Sequence, residues 1–155
     1  MRVSVVMATY NAKPFIGEAI ESVLAQTLTD LELIVVDDGS TDATWDLLTE
    51  YARTDSRVRP LSQDHQGGSV ALNTGIAAAR SDWIAILDAD DVALPMRLEK
   101  QLAAASDAPH VVVCGAFAYS ISSTGRVLGV SHMGPTTEPD FERLRAHGRL
   151  VAVIH

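Results

Sequence analysis

The sequence contains a single cysteine, Cys114, in 155 residues. An internal disulfide is therefore impossible, and a reducing compartment is the default expectation. Cys114 lies in an apolar, strand-like run, which favours a core position over a catalytic one. No apolar stretch approaches the roughly 20 residues of a membrane-spanning helix, and the N-terminus lacks the layout of a signal peptide. We expect a cytoplasmic protein, with peripheral association at the inner face of the membrane left open.

Basic residues are also scarce. Twelve Lys and Arg stand against twenty Asp and Glu, and the net charge of −8 disfavours nucleic-acid binding. An anionic substrate would need local help from a metal ion or from backbone N–H groups. The phosphate-binding Gly-Lys-Ser/Thr pattern is absent, which argues against kinase-like ATP chemistry. A Gly-x-Gly-x-x-Gly after the first strand is also absent, which argues against an ordinary NAD site. The histidines lack the spacing of a zinc site.

The chain instead alternates strand-like and helix-like segments. Hydrophobic residues make up 47% and aromatic residues only 5%, a mixture that suits an α/β protein with a buried parallel sheet. Helical periodicity is clearest at Ile16, Ala19, Ile20 and Val23, and a fourth helix is predicted at 95–105. Pro60 favours an edge position for the third strand. The alternation of strands and helices predicts right-handed crossovers and a mostly parallel sheet. The strands are predicted at 2–8, 31–36, 57–62 and 83–87.

The pattern changes after about residue 110. A long strand at 111–120, a turn at 122–125 and a second strand at 126–130 predict an antiparallel addition to the sheet. A loop, a short polar helix near 141–146 and a strand-like run at 150–154 complete the chain. Because the sequence ends inside that last run, we interpret it as truncated.

Three predicted strands end in polar clusters, at 9–11, 37–40 and 88–91. The carboxyl ends of parallel strands face one crevice, so these clusters should meet there. Asp88, Asp90 and Asp91 repel one another, and a divalent cation would relieve that repulsion. The alternative is that each acidic group only caps the next helix. It explains Asp42, and Ser40 is a plausible N-cap for the second helix, but three clusters at one edge favour a functional site.

The third helix opens with Gly67, Gly68 and Ser69. Glycines allow close approach of the backbone, and a helix N-terminus presents N–H groups to a phosphate. A glycine pair before a helix is a weak signal by itself. His65 precedes it, and we interpret this residue as a solvated loop histidine.

Taken together, these motifs resemble the family 2 inverting glycosyltransferases, which have the GT-A fold and use nucleotide-sugar donors. The resemblance covers roughly residues 3 to 102, with the motifs in order and at family-like spacing. It rests on the segments 3–11, 19–27, 33–42, 68–75, 83–91 and 95–101. It implies a Rossmann-like, mostly parallel sheet sandwiched by helices.

The resemblance also implies roles for individual residues. Tyr10 would lie against the base, Asp38 would hydrogen-bond the base or ribose with Asp37 as the weaker partner, and Asp90 would hold a Mn²⁺ or Mg²⁺ ion that bridges the diphosphate. Asp88 would approach the ribose or sugar, and Asp88 and Asp91 would assist at the metal. The full nucleotide-sugar set is Ala8, Thr9, Tyr10, Asn11, Asp37, Asp38, Gly68, Ser69, Asn73, Asp88, Ala89 and Asp90.

The general base is not identified by this resemblance. In the family it is a carboxylate of the second half, so we expect it beyond His155; Glu138, Asp140 and Glu142 are weak candidates. The chain is then a single GT-A domain, with the nucleotide-sugar-binding part at about 1–105 and the start of an acceptor-side part at about 106–155.

The implied activity is metal-assisted glycosyl transfer with inversion in cell-surface polysaccharide synthesis. The expected donor is a UDP-sugar and the expected acceptor a glycan or a lipid-linked sugar, and a homo-oligomer stays open. Two alternatives remain. The chain is a donor-binding module without transfer activity, or it is a nucleotidyltransferase, although the segment 9–12 is neither basic nor glycine-rich as that class requires.

Overall fold

A computed structural model describes residues 2–106, 114–122 and 126–132. Four strands and four helices alternate up to residue 106, and two further strands follow. In chain order they are β1 (Val3–Thr9), α1 (Lys13–Leu24), β2 (Leu31–Asp37), α2 (Thr44–Thr54), β3 (Val58–Ser62), α3 (Gly68–Ala78), β4 (Ile84–Ile86), α4 (Arg97–Ser106), β5 (Phe117–Ile121) and β6 (Val127–His132).

The first four strands form one parallel sheet in the order β3-β2-β1-β4. The predicted strand–helix alternation and parallel sheet are therefore confirmed. Pro60 lies on β3, which is at the edge of the sheet as predicted; a proline has no N–H to offer a further neighbour. β5 and β6 pair as an antiparallel hairpin, which confirms the predicted antiparallel pair. Within the described residues this hairpin is a sheet of its own, and its first strand begins at Phe117, since 114–116 are not in a strand.

Alternating side chains of the strands pack into two apolar layers, one on each face of the sheet. On one face, Val5 and Leu33 pack with Ile16 and Ile20 of α1, together with α2 and α4. On the other face lies α3, which covers the even-numbered residues of β1, β2 and β4. Each fully buried aliphatic side chain contributes about 1.5–3 kcal/mol, so the two layers fix the register of the strands.

Gly75 allows α3 to lie directly on the sheet. A Cβ atom at this position would be 2.5 Å from Val6 Cγ1 and 3.2 Å from Val36 Cγ2. Those side chains belong to the two central strands and have little room to move. The glycine in the third helix thus has a packing reason that does not involve a ligand.

Helix boundaries differ from the sequence-based expectation at two places. α2 begins at Thr44 after Ala43, so Ser40 is not its N-cap and Asp42 precedes its first turn. The reason is that Ser40 donates its hydroxyl to Asp37 instead. α4 begins at Arg97 rather than at residue 95. The predicted loop, helix and strand between 134 and 154, with Glu138, Asp140 and Glu142, lie outside the described residues.

None of the helices in the described segments has both the length and the apolar character needed to cross a membrane.

Candidate functional site

The strand order creates one crevice at the carboxyl edge of the sheet. The chain moves from β1 outward through β2 to β3, and then returns to place β4 on the opposite side of β1. The strand order therefore reverses at β1. In open α/β sheets ligands bind at such a switch point, outside the carboxyl ends of the strands. The residues that follow β1, β2 and β4 lie at this edge, and hydrogen bonds join those after β1 to those after β2.

Two residues at the end of β1 have different surroundings. Thr9 is buried, and its carbonyl oxygen accepts a hydrogen bond from Asp38 N at 2.9 Å. Tyr10 follows with 47% of its surface exposed. This backbone hydrogen bond joins the ends of β1 and β2, and Tyr10 directly follows the joined position. Ala8, which precedes Thr9 in β1, is partly buried.

Asn11 organises the loop after β2. Its backbone has φ of 50°, which asparagine tolerates better than most residues. The side-chain oxygen Oδ1 accepts hydrogen bonds from Thr41 N at 2.8 Å and Asp42 N at 3.2 Å, and Asn11 N donates to Ser40 Oγ at 2.9 Å. The polar groups of Asn11 therefore hold the 40–42 loop against the end of β1.

Asp37 closes a tight turn at the end of β2. It is buried and accepts hydrogen bonds from the hydroxyl and the backbone N–H of Ser40. Gly39, inside this turn, has φ of 76°, a conformation that favours glycine. These contacts give Asp37 a local structural role, in the turn at Ser40 and not as a cap of α2, which begins at Thr44.

Asp38 has the most extensive set of donors at the site. Its carboxylate accepts hydrogen bonds from Gln63 Nε2 at 2.7 Å, Gln66 N at 3.0 Å and Gly67 N at 2.8 Å, and His65 Nδ1 lies 2.9 Å from Oδ2. The Gln66 N–H is the main cause of a lowered pKa of Asp38; burial opposes it, and the other donors reinforce it. Asp38 thus remains ionised and fastens the 63–67 loop to the end of β2.

His65 has contacts that the interpretation of a solvated loop histidine did not include. Its ring packs against Tyr10 with the centroids 4.3 Å apart and the planes tilted by 32°. The side chain is 58% exposed, as expected for a loop histidine, but it is anchored at Asp38. Its place beside Tyr10, which is 55 positions earlier, depends on tertiary structure, so no local spacing could reveal it.

The start of α3 borders the crevice on the same side. Gly67 has φ of 97°, which requires glycine, whereas a Cβ at Gly68 would meet no atom within 4 Å. Gly68, Ser69 and Asn73 are exposed. The open space above the first turn leaves its N–H end accessible to an anionic ligand.

The acidic motif follows β4. Asp88, Asp90 and Asp91 are exposed, Ala89 is buried, and Asp91 N donates to the carbonyl oxygen of Asp88 at 3.1 Å. The turn therefore presents all three carboxylates to solvent.

Asp91 also has an electrostatic partner in Arg97. Burial lowers the pKa of this arginine, and the Asp91 carboxylate opposes that effect. Arg97 Nη2 in turn donates to the carbonyl oxygen of Ile86, the last residue of β4, at 2.9 Å. Asp91 is thereby linked to the strand base, whereas Asp88 and Asp90 are the better-placed metal candidates.

No group of three or more His, Cys, Asp or Glu residues within 2–106, 114–122 and 126–132 is placed to hold a metal ion. Magnesium, however, is commonly held by one or two carboxylates together with phosphate oxygens of the substrate. The exposed carboxylates of Asp88 and Asp90 match that number of protein ligands.

Comparison with known proteins identifies the architecture. The family model described as "Glycosyl transferase family 2" matches residues 4–153. The chain is 38% identical to the putative glycosyltransferase EpsH of Bacillus subtilis over 126 residues, which are 81% of this chain and 36% of that protein. It spans about a third of the length of the first curated relatives it matches, at 36%, 31% and 35%.

Solved structures show the same fold. The chain is similar to S. aureus TarS in complex with UDP-GlcNAc, with a TM-score of 0.63, 27% identity and coverage of 75% of this chain and 35% of that one. It is also similar to the mannosyltransferase PcManGT from Pyrobaculum calidifontis in complex with GDP-Man and Mn²⁺, with a TM-score of 0.58, 31% identity and coverage of 72% and 33%. The prediction of a GT-A fold is confirmed.

Proposed function

The chain belongs to glycosyl transferase family 2, and from this premise we propose that it supplies the donor-binding part of an inverting glycosyltransferase. The donor is a nucleotide-diphosphate sugar. One observation carries the proposal: at the reversal of strand order, an exposed aromatic ring, a helix N-terminus and three exposed carboxylates share one sheet edge. Those groups match the base, the diphosphate and its counter-ion.

The base and the diphosphate are recognised by different parts of this edge. Tyr10 offers a ring face for the nucleobase. The first turn of α3, with Gly68 and Ser69, offers N–H groups for a phosphate. The Asp38 carboxylate fastens the 63–67 loop between these two parts and thereby fixes the spacing from base to phosphate. In this proposal Asp37 and Asn11 stabilise the turn beneath the nucleotide, and Ala8, Thr9 and Asn73 line the surroundings.

Asp90 and Asp88 would hold a divalent ion, Mn²⁺ or Mg²⁺. When bound, this ion neutralises negative charge on the diphosphate leaving group. The carboxylates bind and orient the ion, and the turn made by Asp91 N and the Asp88 carbonyl oxygen holds them at the end of β4. The mannosyltransferase neighbour with GDP-Man and Mn²⁺ supports metal use.

Sugar transfer with inversion also needs a base that deprotonates the acceptor hydroxyl. We assign this base to a part of the enzyme outside the described residues, and the acceptor to a glycan or lipid-linked sugar. Within this proposal, residues 1 to about 105 form the donor-binding part of one GT-A domain. A UDP-sugar is the expected donor, although the solved neighbours include both UDP-GlcNAc and GDP-Man complexes.

Calorimetry with UDP-, GDP- and dTDP-sugars, with Mn²⁺ or with EDTA, tests the proposal. We expect one donor class to bind with Mn²⁺ and its affinity to fall at least tenfold in EDTA and in Asp90→Ala. Asp82→Ala is the matched control, because Asp82 is also exposed but precedes β4 at the opposite edge of the sheet. Unchanged affinity in both EDTA and Asp90→Ala would refute the metal assignment.

The same assay separates the other functions. Tighter binding of a nucleoside triphosphate than of any nucleotide-diphosphate sugar would favour a nucleotidyltransferase. Donor binding without hydrolysis or transfer would identify this chain as a donor-binding module, while measurable transfer would contradict that alternative.

A further inference from the structure

His65 has three independent contacts with the carboxyl edge of the sheet. Its backbone lies against Gly39, where a Cβ atom would be only 3.0 Å from His65 N. Its ring nitrogen Nδ1 reaches Asp38, and its ring packs on Tyr10. A loop histidine without a role needs none of these contacts.

The hydrogen bonding determines the orientation of the ring. Nδ1 is 2.9 Å from Asp38 Oδ2 and 3.0 Å from the Asp38 carbonyl oxygen. The carbonyl oxygen can only accept a hydrogen bond, and the same holds for Oδ2 of the ionised carboxylate. Nδ1 therefore carries the proton. Because Asp38 is buried and held by Gln63, Gln66 and Gly67 as well, it gives His65 a fixed anchor.

The anchored ring then restricts Tyr10. Tyr10 is the first residue after β1, and about half of its surface is exposed. The His65 ring at 4.3 Å occupies one side of it. A side chain that is already ordered before binding costs less entropy when the ligand arrives.

We propose that His65 is a positioning residue, which fixes the Tyr10 ring as a preformed wall for the nucleobase of the donor. The inference rests on the proposed function, since it requires that a nucleotide bind at Tyr10. The order of contact is Asp38 to His65, His65 to Tyr10, and Tyr10 to the base. His65 acts through Tyr10 and has no part in the bond that is broken or formed.

Three substitutions separate the two side-chain contacts of His65, with Asp38 and with Tyr10. His65→Phe keeps a ring for Tyr10 but removes the Nδ1 donor. His65→Asn keeps an N–H donor for Asp38 but removes the ring, and His65→Ala removes both. Asp64→Asn is the matched control, because Asp64 is an exposed neighbour in the same loop.

The measurement is the affinity for UDP and for inorganic pyrophosphate, each with Mn²⁺. We expect His65→Ala to weaken UDP binding roughly three- to tenfold, His65→Phe and His65→Asn to weaken it less, and Asp64→Asn to leave it unchanged. Pyrophosphate affinity should not change in any variant, since pyrophosphate has no base. A purely structural role in the loop would instead weaken both ligands equally, because the same loop leads into α3.

Nuclear magnetic resonance of the free protein supplies a second readout. We expect cross-relaxation between the Tyr10 and His65 rings, a proton on Nδ1, and a loss of Tyr10 ordering in His65→Ala. UDP affinity within twofold of the wild type in His65→Ala, or an equal loss for pyrophosphate, would overturn the inference alone. A wild-type protein that binds no nucleotide would overturn both the proposed function and this inference.

Discussion

The two ends of β2 each bury a carboxylate, and they use it differently. Glu32 lies at the amino end and Asp38 follows the carboxyl end, and both are at most 2% exposed. Glu32 accepts hydrogen bonds from Ser4 Oγ at 2.7 Å and Arg80 N at 2.9 Å, and it forms an ion pair with Arg59. Asp38 instead is surrounded by donors of one loop that also holds His65 against Tyr10.

The difference lies in what surrounds each carboxylate. The partners of Glu32 come from β1, β3 and the segment after α3, and Arg59 also donates to the Ala78 carbonyl oxygen at 3.2 Å. They tie together the strand ends at the amino edge. At the carboxyl edge, where Asp38 lies, Tyr10, Asp88 and Asp90 are exposed. A buried charge by itself therefore does not indicate a ligand site; exposed groups at the same edge do.

The largest expected effect is at the amino edge. Arg59→Ala leaves Glu32 buried without its cation, and we expect it to lower the free energy of unfolding by about 3 kcal/mol. Urea unfolding followed by circular dichroism measures this change. Arg53→Ala is a suitable control because Arg53 is exposed at the end of α2. Nucleotide affinity measured on the folded fraction should be unchanged. A tenfold loss of that affinity would contradict the view that the amino edge is structural and the carboxyl edge binds the ligand.

At the carboxyl edge the expected effect is on binding. Asp38→Asn presents an amide group to donors that need an acceptor, so the 63–67 loop loses part of its attachment. We expect UDP affinity to fall about tenfold, with a smaller change in the unfolding midpoint than Arg59→Ala causes. Calorimetry and thermal unfolding of the same samples make the comparison. If Asp38→Asn destabilised the fold more than Arg59→Ala did, Asp38 would be mainly a structural residue.

The smallest effect is the acid sensitivity of Glu32. Burial raises its pKa, but the hydrogen bonds from Ser4, Arg59 and the Arg80 N–H outweigh burial, so the folded-state pKa lies below the ordinary value of 4.5. A depressed pKa stabilises the folded protein above that ordinary value, and this stabilisation is lost as the pH falls through the folded-state pKa.

Glu32→Gln isolates this contribution because glutamine does not titrate. We expect the difference in unfolding free energy between the wild type and Glu32→Gln to be constant near neutral pH and to change in favour of the variant as the pH falls below about 4.5. Other carboxylates, including Asp55, also have lowered pKa values, but they are common to both proteins and cancel in the difference. A difference that stays constant down to pH 2 would contradict the assignment.

Much of the fold followed from local patterns. The apolar runs of β1 and β2 and the periodicity of α1 identified these elements, because buried faces impose periods of two and 3.6 residues. Helix starts were less accurate. Ser40 is a residue type that often caps helices, but its hydroxyl donates to Asp37 and accepts from Asn11 N instead. α2 begins only at Thr44.

The candidate site was predicted as a set of strand ends, without its internal contacts. The sequence placed Tyr10, Asp38 and Asp88 at one edge, since parallel strands must end together. It did not predict the burial of the acids: Asp37 and Asp38 are buried and hydrogen-bonded, whereas Asp88 and Asp90 are exposed. Nor did it predict the contacts of His65 with Asp38 and Tyr10.

The sequence by itself determined the alternation of strands and helices and the polar groups that follow each strand, because both depend on the residue and its near neighbours. Only the tertiary structure decided that β1 lies between β2 and β4, where the strand order reverses. It also decided the partners of Asp38, Glu32 and His65. Those partners lie 25 to 55 positions away in the chain, and their contacts depend on how α3 and the sheet pack.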